Sequence, residues 1–570
     1  MPYRSPVDEV LFLLDHVAGY DQVTRTERFA EMGGDMVQAI LAEAGKLCDD
    51  VLAPLQRAGD LEPARLENGV VRTSPGFADG YRAIAQGGWV GATADPEHGG
   101  MGLPNALGMA INDMMSGACL ALQLAPLLTV GQIEALEHHA PDWIKDLYLP
   151  KLTSGEWTGT MNLTEPGAGS DVGALRSKAE RLDDGSYAIT GQKIFITWGD
   201  HDAAENVCHL VLARLPDGGA GTKGISLFLV PKIIPNDDGT LGAPNDLKVV
   251  SLEHKLGIHG SPTCVMAYEN ARGWLIGEEH DGMKCMFTMM NNARLGVGVQ
   301  GVGVAEAATQ HALAYALDRK QGKTPEKGVE TIFGHADVRR MLATMRAETI
   351  AARGIALMCA VALDMAKAEG DPEWAARAAL LTPIAKAFGT DVGIAVADLG
   401  VQVHGGMGFI EETGAAQYLR DVRVTSIYEG TNGIQSMDLV GRKLMDGGEA
   451  ACRLLDEIES TAEAARATLP KLAEPVWQAA ESLREATEWM VGQVDMHSRF
   501  GGSVAYLRAF ARVLGGHIHL LSALADQDGP RTRLAQFYIA RLLPEHVSLL
   551  VQARAGARDL YALSAQDLAV

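Results

Sequence analysis

Apolar residues recur at three- and four-residue spacing through most of the first 155 positions. Runs such as FAEMGGDMVQAILAEAGKLCDDVLAPL and ALGMAINDMMSGACLALQLAPLL therefore predict helix. A Gly/Pro cluster from Asp95 to Asn105 marks a turn between helices. From Trp157 the period shortens. WTGTMNLTE, YAITGQKIFITW, NVCHLVLARL, GISLFLVP and PTCVMAYEN read as strands, separated by the turn signals Asp183-Asp184-Gly185, Pro216 to Gly219 and Asn236 to Gly239. About 125 residues of short strands without intervening helices predict an antiparallel sheet or barrel rather than βαβ units. Helical spacing returns after Asp281 and persists to Val570. The predicted class is α+β, mostly α. A helical domain (1–156) precedes a β domain (157–281), a helical bundle (282–445) and a helical extension (446–570).

Composition narrows the partners. The chain has 570 residues, a formal net charge of −23 and 47% hydrophobic residues, as in a water-soluble globular protein. That much negative charge argues against nucleic acid or an anionic membrane as the main partner. No unbroken run of 18 apolar residues occurs, and Asp15 interrupts the N-terminal apolar cluster, so neither a span nor a signal segment is expected. Seven scattered cysteines without a CxxC pair suggest reduced thiols, and a cytoplasmic enzyme is the simplest reading.

Glu429 is the leading chemical candidate. It follows an apolar run (Val422, Val424, Ile427) and Tyr428 and precedes Gly430, with the capping types Thr431 and Asn432 after it. A carboxylate at such a loop-to-helix junction is open to desolvation, which raises its pKa towards that of a general base. An ordinary solvated loop acid is the competing reading. Thr164 to Asp171, TEPGAGSD, follows a predicted strand and offers backbone N–H groups and hydroxyls to an anionic or carbonyl-bearing cofactor, with a tight turn as the alternative. Gly296, Gly298 and Gly301 spell GxGxxG, but MKCMFTMMNNAR before them is no strand, so close helix packing explains them better than a dinucleotide site. His138-His139 and His517/His519 lack metal-ligand spacing and read as solvated surface, so no metal is expected.

Four motifs, TEPGAGSD, KIFITWG, QVHGGMGF and RDVRVTSIYEGT, stand in the order and spacing of the acyl-CoA dehydrogenase family, which the chain resembles over roughly residues 40 to 445. The opening PVDEVLFLL and the long tail are similar to the branch acting on 3-methylmercaptopropionyl-CoA. The resemblance implies FAD, a four-helix bundle in the third region, and oxidation of an acyl-CoA to a trans-2-enoyl-CoA. The α-proton would go to Glu429 and the β-hydride to flavin N5. It further implies flavin contacts from Leu163, Thr164, Gly169, Ser170, Phe195, Thr197 and Thr431. Arg319, Gln402, Gly405 and Gly406 would hold the ADP half of FAD of a neighbouring subunit. Substrate contacts would come from Ser170, Arg294, Tyr428 and Gly430. A homodimer and an electron-transfer flavoprotein partner follow from the same resemblance, and the extension would cover the surface that other members use to form tetramers. The expected substrate is 3-methylmercaptopropionyl-CoA or another short acyl-CoA. An oxidase, a medium- or long-chain enzyme, a nicotinamide enzyme and a non-catalytic acyl-CoA-binding protein are the rivals. The chain departs from the family pattern in having Gly322 directly after Gln321, Gly433 after the base, His259 in KLGIHGS, and Asn291 where an acidic partner of Arg294 is usual.

Overall fold

In the computed structural model, which describes residues 3–570, the change of period at Trp157 coincides with a change of architecture. Two compact units form. One comprises the N-terminal residues to Ala42, Pro104–Gly117 and Arg294–Val570; the other comprises Glu43–Leu103 and Ala118–Ala293.

The second unit contains the strands. Its main sheet has β3 (Trp157–Asn162), β4 (Lys178–Arg181), β5 (Tyr187–Thr197), β6 (Asn206–Arg214), β7 (Ile225–Pro231), β10 (Leu247–Leu252) and β11 (Thr263–Ile276). Two small hairpins, β1 (Arg65–Glu67) with β2 (Val70–Arg72) and β8 (Ile233–Pro235) with β9 (Leu241–Pro244), stand apart from it. Pairing is antiparallel except where β6 runs parallel to β3 and, at one residue pair, to β4. ISLFLVP is buried along its whole length, as a continuous apolar run covered on both faces should be. Ile189, Ile196, Val211, Phe228, Met266 and Tyr268 form the centre of the core. The hairpin β1–β2 lies within a region that apolar spacing assigned to helix. Its signal is Asn68-Gly69, both at positive φ (52° and 79°), the turn chemistry of a tight hairpin.

The first unit is helical. Ala336–Glu369 turns back into Pro372–His404 through Gly370 at φ 69°, and Asp371 caps the second helix by accepting from Glu373 N–H at 2.8 Å. Gly282–Asp318, a helix whose C-terminal part from Arg294 belongs to this unit, lies backbone-to-backbone against Pro372–His404. A Cβ on Gly298 would meet Ala385 O at 2.6 Å, and one on Gly301 would meet Gly389 O at 2.2 Å. The glycine run is therefore a helix-packing seam inside a helix, as expected, and the nicotinamide reading lapses. In the extension, Met496–Ala525 is the central helix, packed on Glu545–Arg554, Pro530–Arg541 and Ala336–Glu369. Arg512 on it reaches Glu348 at 2.5 Å and Glu545 at 2.6 Å.

One expectation fails here. His517 and His519 are buried rather than solvated, because the stretch of helix that carries them, residues 509–520, is covered on every side; His519 Nε2 lies 3.0 Å from Ala347 O. Three helices (Asn105–His139, Ala336–Glu369, Pro372–Phe409) are long and apolar enough to cross a membrane by length and composition, although no unbroken apolar run marks them. Their apolar windows are 94%, 89% and 72% buried inside the protein. The cysteines are unpaired, and all but Cys452 are buried.

Candidate active site

Glu429 sits in a turn between the 3-10 segment Arg423–Ser426 and the short helix Asn432–Asp438. Thr431 caps that helix, its Oγ1 accepting from Ile434 N–H at 3.3 Å. Both Glu429 (φ 56°) and Gly430 (φ 80°) are left-handed, a conformation that only glycine adopts readily. The turn is held from one side. Gln435 Nε2 donates to Glu429 O at 3.0 Å, and Lys386 Nζ donates to Gly430 O at 2.9 Å and to Asn432 Oδ1 at 3.0 Å. Asn432 in turn donates to Thr390 Oγ1 and Asp391 Oδ1 of the same long helix. Among the described residues no acceptor takes the N–H of Glu429 or Gly430.

Among the described residues no group donates a hydrogen bond to the Glu429 carboxylate either. Desolvation raises its pKa to about 7, against the opposing pull of Arg294 and Lys386. Burial likewise lowers Lys386 to about 8, with Glu429 and Asp391 holding it up. Arg294 is buried, with Asp438 3.8 Å away, so Asp438 supplies the acid that Asn291 does not. Tyr428 donates its phenol proton to the buried Gln300. The solvated-acid reading of Glu429 does not hold: the residue is partly buried, and desolvation raises its carboxyl towards neutrality.

The β unit builds the second candidate region. Glu165, inside TEPGAGSD, points inward and accepts from Arg176 N–H (2.6 Å), Ser177 N–H (3.0 Å) and Lys193 Nζ (2.8 Å). Burial opposes its ionisation, but Lys193 and these donors win, so its pKa falls below the usual carboxylate range. Lys193 also donates to Leu163 O, and Ile194 N–H donates to Thr164 O, locking the loop against β5. The outer edge stays open. A Cβ on Gly167 or Gly169 would meet nothing within 4 Å, and no protein acceptor takes the N–H of Gly169 or Ser170.

Phe195 stands beside this loop on a β-bulge. Cys264 pairs with Ile196 and Met266 with Lys193, so Val265 faces both Ile194 and Phe195. The bulge holds Phe195 at φ 60° and leaves its ring 58% exposed, a costly placement for an aromatic unless something flat covers it. Thr197 closes the same strand, its carbonyl accepting from Thr160 Oγ1 at 2.7 Å. Leu163, Thr164, Gly169, Ser170, Phe195 and Thr197 thus belong to one region.

The remaining residues lie elsewhere in the helical unit. Gly405 and Gly406, with open space where a Cβ would be, follow Pro372–His404, and Arg319 follows Gly282–Asp318. The rings of Tyr315 and His404, 4.4 Å apart, put these helix ends together, with Arg319 and Gln402 exposed there. Sequence reasoning gave no role to Lys386, Gln435, Lys193 and Glu165. Glu165 and Lys193 carried a signal, as a carboxylate inside a glycine loop and the first residue of KIFITWG; Lys386 and Gln435 lie in unremarkable helix patterns.

With this geometry in hand, comparison with known proteins is informative. Family profiles described as the N-terminal, middle and C-terminal domains of acyl-CoA dehydrogenase match residues 35–156, 160–271 and 280–445. One described as acetyl-CoA dehydrogenase C-terminal like matches 454–564. A 3-methylmercaptopropionyl-CoA dehydrogenase of Ruegeria pomeroyi is 44% identical over 539 residues, 92% of each chain. A butyryl-CoA dehydrogenase of Syntrophomonas wolfei is 38% identical over 446 residues, 75% of this chain and 73% of the relative. Among solved structures, an acyl-CoA dehydrogenase of Bacillus anthracis complexed with FAD superimposes with a TM-score of 0.74 at 21% identity, covering 99% of this chain and 93% of that one, a likeness of fold.

Proposed function

The chain belongs to the acyl-CoA dehydrogenase family, and from that premise we propose that Glu429 removes the α-proton of a short acyl-CoA thioester to begin its conversion to a trans-2-enoyl-CoA. It is an FAD-dependent oxidoreductase that dehydrogenates an acyl-CoA. FAD, when bound, supplies the acceptor for the hydride leaving Cβ. The residues present fit such a group. The open glycine edge of TEPGAGSD, the uncommitted N–H groups of Gly169 and Ser170 and the exposed Phe195 ring suit a flat, oxygen-rich cofactor. Leu163, Thr164 and Thr197 would complete that part of the site. Arg319, Gln402, Gly405 and Gly406 would hold the ADP half of the FAD of a neighbouring subunit, and Thr431 would add a further cofactor contact.

The observation that carries the proposal is a partly buried Glu429 whose carboxyl receives no hydrogen bond and titrates near neutrality. A base must be ionised at working pH and still hold a proton once it has taken one, and a pKa of about 7 meets both needs. The free N–H of Glu429 can polarise the thioester carbonyl, which acidifies the α-proton. Arg294, close enough to act on the base, keeps positive charge where enolate character develops. A 3-methylmercaptopropionyl or comparably short acyl group is supported by the relative at 44% identity. Electrons then pass to an electron-transfer flavoprotein. A homodimer is supported by Met407, Phe409 and Ile410, exposed apolar side chains next to the Gly405-Gly406 cradle. Unpaired cysteines favour a cytoplasmic location.

The test is an anaerobic titration of purified protein with 3-methylmercaptopropionyl-, butyryl- and palmitoyl-CoA, following the flavin absorbance. Bleaching by the two short thioesters and little by the long one is expected. Failure of every thioester to bleach the flavin overturns the proposal.

A further inference from the structure

The turn that carries Glu429 is held in a conformation its own sequence disfavours. Two successive left-handed residues, one of them not glycine, persist only where the surroundings over-determine them. The surroundings are specific. The carbonyl of Glu429 accepts from Gln435 Nε2, and that of Gly430 accepts from Lys386 Nζ, with a weaker second bond from Gln435 at 3.4 Å. Both side chains are fully buried, and neither touches the carboxylate. Lys386 is braced through Asn432, which binds back to Ala387, Thr390 and Asp391 on the lysine's own helix.

Resting on the reading of Glu429 as the base, we propose that Lys386 and Gln435 are positioning residues for the dehydrogenation. They clamp the turn by its two carbonyls, and its opposite edge, with the carboxylate and the N–H groups, is left for the thioester. Lys386 has a second effect through its charge. The groups facing Glu429 are Arg294 from Gly282–Asp318, Lys386 from Pro372–His404 and the neighbouring Tyr428. Behind them stand Asp438 and Arg442, which neighbour Arg294, and Asp391, which neighbours Lys386. Lys386 is thus one of two cations that favour the ionised base, and removing it leaves Arg294 alone against desolvation.

Three variants test this, each purified with FAD and assayed over a pH series. Lys386→Met removes donor and charge; kcat should fall by about 10²-fold, the expected scale for a displaced reacting group. The acid limb of its kcat profile should also move to higher pH. Gln435→Leu removes a donor without changing charge, and it also removes a buried Oε1 that has no partner. Here kcat should fall by about tenfold with the acid limb in place and KM nearly unchanged, the signature of lost transition-state positioning. A crystal structure of Gln435→Leu should show Glu429 out of its left-handed conformation. Wild-type kcat in Gln435→Leu, or an unmoved acid limb in folded Lys386→Met, overturns the proposal; should Lys386→Met not fold, Gln435→Leu decides alone. Glu429→Gln in the same assay separates the two levels, since activity in that variant would sink the assignment of the base itself.

Discussion

Two glutamates of this chain lie within electrostatic reach of a buried lysine, and only one of them makes a salt bridge. In the β unit Lys193 touches Glu165 at 2.8 Å, two backbone N–H groups complete the carboxylate's partners, and its pKa falls. In the helical unit the donors of Lys386 are taken by Gly430 O and Asn432 Oδ1, the Glu429 carboxylate receives none, and its pKa climbs to about 7. The same pair of residue types gives a fixed anion in one place and a proton acceptor in the other. What differs is where the lysine's hydrogen bonds go: a direct bond to a carboxylate favours its charge, whereas a bond to a nearby carbonyl leaves only a weaker field against desolvation.

The comparison can be broken most decisively at Glu429. Glu429→Gln keeps the shape and loses the base, and general-base catalysis supplies about 10²–10⁴-fold, so a loss of that size in kcat is expected while FAD content stays normal. Steady-state assay with an artificial electron acceptor measures it, and a loss below tenfold would contradict a reactive role. Glu165→Gln should behave in the opposite way. It strands Lys193, and breaking one partner of a buried pair costs about 3–5 kcal/mol, read as a lower denaturation midpoint and release of FAD. Normal stability in that variant would mean the β-unit pair is not the staple described.

A pH series sharpens the contrast without mutation. Activity should fall by about tenfold per unit below the base pKa, with the limb near 7, because protonated Glu429 cannot accept. Glu165, held ionised, adds nothing to that limb. Its depressed pKa contributes stability that is present above the ordinary carboxylate range and is lost as pH falls through the folded-state value, so acid should loosen the glycine loop at a pH well below the activity limb. The smallest expected effect is at Thr431→Ala, where loss of the helix cap costs about 0.5–2 kcal/mol. Thermal unfolding would register it, and a modest loss of kcat should accompany it because the cap adjoins the turn carrying the base.

Much of the fold was legible along the chain. The shift from three- and four-residue spacing to strand runs at Trp157, the turn signals of the β region and the packing glycines at 298 and 301 all correspond to structure. The short hairpin at Arg65–Arg72 was not seen, because three-residue strands carry too little alternation to outweigh the helices around them, although Asn68-Gly69 marked it. His517 and His519 were assigned to the surface because local sequence does not say which helix is covered on every side. At the site, Glu429 and TEPGAGSD were visible as residue types in suggestive settings. Lys386 and Gln435 were not, since a lysine or glutamine in a helix pattern is ordinarily a solvated face, and Lys193, although it opens KIFITWG, gave no sign of its burial.

The sequence by itself determined which segments are helix or strand, which loops expose backbone and which acid could serve as a base, because hydrophobic period and turn chemistry are local properties. Tertiary structure alone decided which acid is held ionised and which is raised towards neutrality. Lys386 lies 43 positions before Glu429 and Lys193 lies 28 after Glu165, and only the folded chain determines whether each lysine meets a carboxylate or a carbonyl. The bulge that turns Phe195 outward has the same origin: it exists because β5 carries one more residue than its partner strand allows, a mismatch that appears only when the two strands are paired.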